Sequence, residues 1–151
     1  MFKKILVPLD GSELAASILP QVAELAGKFQ AELILVHVSP EEDREGAKAA
    51  SNDDLNTCAA YLSLLGKELR QQGLKVKVVC VTGNPVREIL RCANERQVDL
   101  IAMATHGSGE VAWLLGSVAN KVITRSPMPV MLFRVLKLEP PPLKPAVKDF
   151  I

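Results

Sequence analysis

The sequence predicts one α/β domain built on an open, doubly wound sheet of five parallel strands with four helices. Three observations carry that expectation. Five short runs, 4–9, 32–38, 76–81, 98–104 and 129–135, are rich in β-branched and aliphatic residues and nearly continuous rather than alternating. Continuous apolar strands are buried on both faces, as in a parallel sheet covered by helices. Between the runs, apolar residues recur at spacings of three and four, the period of a helix with one buried face. The resulting order βαβαβαβαβ, joined by right-handed crossovers, gives an open parallel sheet with helices on both sides.

Each helix has its own signals. The first places Leu14, Ile18, Val22, Leu25 and Phe29 on one face, with Ser12 as N-cap; Pro20 inside the pattern predicts a kink or a local irregularity. The second carries Leu55, Cys58, Ala59, Leu62, Leu65 and Leu69, with Asn52, Asp53 and Asp54 at its positive end and Gly73 as its stop. The third starts at Pro85 behind Asn84 as cap and turns Val86, Ile89, Leu90 and Ala93 inward. The fourth starts near Ser117 and turns Val118, Val122 and Ile123 inward.

The 151 residues suit one domain, and 48% hydrophobic against 23% charged residues is enough apolar material for a core. A net charge of +1 without a basic stripe, and an aromatic share of 4%, argue against a nucleic-acid partner. No run approaches the roughly 20 apolar residues of a membrane span, and the short apolar start is no signal peptide, so a cytoplasmic location is expected. The three cysteines, Cys58, Cys80 and Cys92, form no C-x-x-C pair. They read as buried structural thiols in a reducing compartment.

In an open parallel sheet, ligands bind outside the carboxyl ends of the strands where the strand order reverses. That rule points to segments 8–12, 37–40, 82–85 and 104–117. The glycines of Thr105-His106-Gly107-Ser108-Gly109 allow close backbone approach to a ligand, and Gly116-Ser117 at a helix start offers N–H donors and the positive end of the dipole to a phosphate. A plain strand-to-helix turn explains the same glycines equally well. Asp10 at the end of the first strand can accept from ribose hydroxyls or an amine, or can simply open the turn. The chain has no G-x-x-x-x-G-K-[ST], and no G-x-S-x-G elbow surrounds Ser108. His37 reads as a hydrogen-bonded core or rim residue, and no metal site is expected. Trp113 reads as a packing anchor or an oligomer contact.

Val7-Pro8-Leu9-Asp10-Gly11-Ser12, Leu35-Val36-His37-Val38, Ala104-Thr105-His106-Gly107, Leu115-Gly116-Ser117-Val118 and Ser126-Pro127-Met128-Pro129-Val130 together resemble the universal stress protein family, over residues 2–135. ATP-binding members carry G-x-x-G-x₉-G-[ST] after the fourth strand; here Gly107, Gly116 and Ser117 match it. Ala104 stands in place of the first glycine, and eight residues, 108–115, separate Gly107 from Gly116. The resemblance implies a flavodoxin-like strand order of 3-2-1-4-5. It implies that Asp10 meets the adenosine, the Val38 backbone reads the adenine edge, and Met103 and Ala104 line the ribose. Gly107, Ser108, Gly109, Gly116, Ser117 and Val118 would hold the phosphates. Pro8, Leu9, Ser12 and His106 complete the candidate cofactor-binding set; no catalytic or metal-binding residue is assigned.

The expected ligand is ATP, with or without Mg²⁺; AMP or ADP would fit the same site. The expected role is a regulatory or stress-survival module. Hydrolysis would be slow, for want of a general base and a second carboxylate. The rival readings are a nucleotide-free family member acting through protein contacts and a slow nucleotide hydrolase or transferase. The resemblance also implies a homodimer through the last strand, Pro129 to Val135, an apolar edge that needs cover. Residues 1–135 are expected to form the domain and 136–151 a proline-rich tail, in which prolines forbid helix and central strand.

Overall fold

A computed structural model describes residues 1–41, 52–107 and 114–136. Their elements run β1 (Lys4–Pro8), α1 (Glu13–Ala16), α2 (Leu19–Phe29), β2 (Glu32–Ser39), α3 (Asn52–Gln71), β3 (Lys75–Thr82), α4 (Pro85–Glu95), β4 (Leu100–Ala104), α5 (Ser117–Arg125) and β5 (Val130–Phe133). The five strands form one sheet in the order β3-β2-β1-β4-β5, all neighbours parallel. The order reverses between β1 and β4.

Burial follows from this order. β4 is buried along its whole length, and β1 and β2 are buried through their centres, because helices cover both faces. The edge strands β3 and β5 are mostly half-buried. One core, containing Ile5, Val7, Leu33, Leu35, Val22 and Leu62, packs α1, α2 and α3 on one face. A second, containing Leu6, Ile34, Ile101, Val86, Ile89 and Val122, packs α4 and α5 on the other. Alternate residues of β1 and β2 therefore serve opposite cores, and each fully buried Leu, Ile or Val contributes about 1.5–3 kcal/mol.

The first expected helix is two. α1 closes after one turn, and α2 begins with Pro20 in its first turn, where its missing N–H costs nothing. Ser12 caps α1 by accepting from the Ala15 N–H at 3.1 Å, and Asn84 caps α4 by accepting from the Arg87 N–H at 3.0 Å. α3 comes close to the sheet because residue 66 is glycine: a Cβ there would lie 3.3 Å from Cγ1 of Val78. The expected cap side chains of Asn52 and Asp53, the anchor Trp113 and the tail beyond Leu136 lie outside the described residues.

Three expectations need correction. Ile123 is 42% exposed; it lies on the outer side of α5, while Val122 and Ala119 face the core. Phe29, at the last turn of α2, is 39% exposed rather than buried, and packs edge-on against Phe2 with ring centroids 5.2 Å apart. Above all, the cysteines are not three separate thiols. Cys58 of α3 and Cys80 of β3 form a disulfide with Cα atoms 6.2 Å apart; only Cys92 remains free and buried. Packing of α3 against β3 brings together two cysteines that the sequence keeps 22 residues apart.

Candidate functional site

At the carboxyl ends of β1 and β4, where the strand order reverses, a cavity of about 170 Å³ opens to solvent. Pro8, Leu9 and Asp10 form one wall, Met103, Ala104, Thr105, His106 and Gly107 another. Val36 and Val38 of β2, Pro85 and Ile89 of α4, Ala15 of α1, and Val118 and Ala119 of α5 close the rest. Among the described residues the lining is mostly apolar and contains a single carboxylate and no Lys or Arg. A ring system would meet hydrocarbon walls, and an anion would have to be held by backbone N–H groups rather than by a basic side chain.

Asp10 follows β1 at the start of a tight turn. Its Oδ1 accepts from the Ser12 N–H at 2.9 Å and the Ser12 hydroxyl at 2.5 Å. Gly11 makes the turn possible with φ of +89°, a left-handed conformation that costs other residues about 1–2 kcal/mol. Tyr61 of α3 feels the same carboxylate: burial first, and the Asp10 charge second, hold its phenol above the ordinary value. His37, near the end of β2, donates from Nδ1 to the Leu9 carbonyl at 2.8 Å, pinning the turn to the sheet as the rim residue the sequence suggested.

On the other side, the β4–α5 connection is closed by its own hydrogen bonds. The Gly116 N–H donates to the Thr105 carbonyl at 2.9 Å, and the Thr105 N–H donates to the Phe133 carbonyl of β5 at 2.9 Å. His106 is buried at 3% exposure and bridges Thr105 to the Leu114 carbonyl. α5 then starts on Gly116 with no side-chain cap and no acidic residue in its first turn. The positive end of its dipole points toward the cavity side, where Val118 and Ala119 of that turn join the lining.

Nine of the fourteen candidates meet at this cavity: Pro8, Leu9, Asp10, Val38, Met103, Ala104, His106, Gly107 and Val118. Gly116 and Ser117 open α5 beside Val118, just off the lining. Ser12 turns away to cap α1. Ser108 and Gly109 lie outside the described residues. Sequence reasoning did not select Ala15, Val36, Ile89 or Ala119, which are helix and strand core positions whose periodicity signals only burial. Among the described residues no group of three metal-ligating side chains occurs, and no helix is long and apolar enough to cross a membrane.

Comparison with known proteins agrees with this geometry. The chain is 32% identical to universal stress protein YxiE of Bacillus subtilis, covering 89% of this chain and all of the relative. It is also 32% identical to universal stress protein MJ0577 of Methanocaldococcus jannaschii, over 89% of this chain and 96% of the relative. The solved structure of MJ0577 superposes with a TM-score of 0.79 over 89% of this chain and 96% of that one, at 35% identity. A universal stress protein in complex with cAMP shares the fold, with a TM-score of 0.69 at 22% identity over 89% of this chain and 98% of that one. The model of the universal stress protein family matches residues 1–134, and the chain belongs to that family.

Proposed function

We propose that this protein binds an adenine nucleotide, ATP foremost, in the cavity between the carboxyl ends of β1 and β4, and works as a regulatory module rather than a fast enzyme. The observation that carries the reading is the pairing of opposite electrostatics across one apolar cleft. Asp10 stands at one side, an acceptor suited to ribose hydroxyls. The uncapped start of α5 stands at the other, a donor set suited to phosphate. Between them Val36, Val38, Met103 and Ala104 offer flat apolar contact for the base, and the backbone at Val38 supplies its polar edge contact. The residues present fit the nucleotide; Mg²⁺, if it accompanies ATP, would find one carboxylate on the lining, that of Asp10. Gly107, Ser108, Gly109, Gly116, Ser117 and Val118 are assigned to the phosphates. Ala104 in place of the first glycine and the eight-residue interval from Gly107 to Gly116 depart from the ATP-binding pattern, so AMP, ADP and cyclic AMP belong beside ATP in any test.

β5 is a half-buried apolar edge, and we assign it to antiparallel pairing with a second copy of the chain, which would satisfy its open backbone groups. Light scattering of the purified protein should give twice the chain mass.

The deciding experiment is mass spectrometry of small molecules released from freshly purified protein, with calorimetry against ATP, ADP, AMP and cyclic AMP. The control is the double variant Asp10→Ala, Gly116→Val. Adenine nucleotide released from the wild type alone supports the site. An empty wild type that takes up none of the four would replace this reading with a nucleotide-free module acting through protein contacts.

A further inference from the structure

The disulfide lies on the same face of the sheet as α1 to α3, and its position on α3 is informative. Counted from residue 54, the buried side chains of α3 are Cys58, Leu62 and Leu69, with Gly66 against the sheet. Leu62 and Leu69 anchor the middle and the end of the helix. There the Arg70 guanidinium adds a fork, donating from Nε and Nη2 to the Val76 carbonyl at 3.2 and 2.7 Å. Toward the amino end, Cys58 is the single fully buried side chain among the described residues, and it is bonded covalently to Cys80. The one buried side chain of these first turns is thus tied covalently to the sheet, beside the half-buried Leu55 and Tyr61.

Accessibility and surroundings suit reversible chemistry. Cys80 stands on the edge strand β3, half-buried, opposite His37 of β2. The free thiol, Cys92, is buried in the other core, beyond the sheet, where burial pushes it up and keeps it protonated. It cannot reach the pair to compete for it. One turn after Cys58, Tyr61 packs half-buried against the core that contains Leu9 and Ala15 of the cavity wall, in the field of Asp10 on that wall.

We propose that Cys58 and Cys80 are a reversible dithiol–disulfide switch that sets how tightly the first turns of α3 hold to the sheet and, through Tyr61, how Asp10 is presented to the cavity. The coupling to the cavity rests on the nucleotide-binding reading above; the switch itself does not. The oxidant is a small disulfide such as glutathione disulfide. The thiolate of Cys80, the more accessible of the pair, attacks one of its sulfurs, forming a mixed disulfide and releasing one thiolate. Cys58, deprotonated, then attacks Sγ of Cys80 and releases the second. Two protein thiols lose two electrons and two protons, and one small disulfide becomes two thiols. Glutathione reverses both steps. Because Leu62, Leu69 and the Arg70 fork do not depend on the bond, the reduced protein keeps its fold and loosens only the amino end of α3.

The test uses the full chain equilibrated across glutathione redox buffers. Alkylation with mass detection should show Cys58 and Cys80 titrating together as one two-electron couple, with Cys92 unlabelled until the protein is unfolded. Hydrogen exchange should rise about tenfold or more over residues 54–61 on reduction and stay unchanged over 65–71. ATP affinity should differ by about fivefold or more between the two forms. The Cys58→Ser, Cys80→Ser variant should match the reduced form in every buffer. A pair that stays reduced in excess glutathione disulfide, or unchanged exchange at 54–61, overturns the switch. Equal ATP affinity in both forms overturns its coupling to the cavity. If neither form binds ATP, the nucleotide reading fails, and the lone tyrosine decides the coupling: Asp10→Asn should lower its titration midpoint in the oxidised protein only.

Discussion

The hydroxyl of Thr105 lies 2.7 Å from Nδ1 of His106, and both side chains are buried. The other ring nitrogen, Nε2, meets the Leu114 carbonyl, which can only accept, so Nε2 carries the proton and Nδ1 accepts from Thr105. The Thr105 oxygen in turn accepts from the Val135 N–H at 3.4 Å. A single hydrogen-bonded line therefore runs from Val135, just past β5, through Thr105 and His106 to the residue two before Gly116. His106 holds the residue two before the N-cap of α5, and with it the α5 side of the cavity.

Thr105→Val keeps the shape and removes the donor to a buried ring nitrogen. It should lower stability by about 1–3 kcal/mol in urea unfolding. His106→Ala should cost more than Thr105→Val and, if the cavity is the proposed nucleotide site, also weaken ATP by about tenfold, because Leu114 loses its tether. An affinity unchanged in His106→Ala would mean that α5 is positioned without the ring.

Asp10→Asn keeps an oxygen for Ser12 but removes the charge. If the carboxylate accepts from ribose, a charge-assisted bond is lost and ATP affinity should fall roughly tenfold to a hundredfold in calorimetry, with little change in melting temperature. The same variant should bring the Tyr61 titration part of the way back, since burial is the larger cause of its shift and remains. A drop in stability with no drop in affinity would make Asp10 a turn residue alone.

Asp99 ties the amino ends of the neighbouring strands β1 and β4 together. Its Oδ2 accepts from the N–H groups of Lys3 and Lys4 at 2.7 and 2.8 Å, and these bonds hold its carboxyl below the usual value. A depressed folded value means the stabilisation is present above the unfolded carboxylate range and is lost as pH falls through the folded value. Asp99→Asn should therefore lower the melting temperature at neutral pH and make progressively less difference as pH falls through the folded value. The carboxylate is largely solvated, so the loss should stay within about 1 kcal/mol.

Leu62 and Leu64 are two residues apart on α3 and differ completely in burial, at 0% and 62% exposure. Leu62→Ala should destabilise by about 2–5 kcal/mol, and Leu64→Ala by about 0.5 kcal/mol or less. Similar losses at both positions would mean that the outer face of α3 is covered in solution, by a partner or a second copy.

Much of this molecule was legible along the chain. The near-continuous apolar runs became the five strands, Ser12 and Asn84 became caps, Pro20 marked the break between α1 and α2, and Pro8-Leu9-Asp10 and Ala104 to Gly107 came together at one cavity. These are readable because helix and strand periods, caps and turns depend on neighbours within a few residues. Tertiary structure alone decided the rest. The Cys58–Cys80 bond depends on how α3 lies across β3, which no spacing encodes. Ile123 faces outward because α5 turns Ala119 and Val122 to the sheet, a rotation that local hydrophobicity left open by one residue. Tyr61 reaches the field of Asp10, and His106 reaches Leu114, across chain separations that only packing closes.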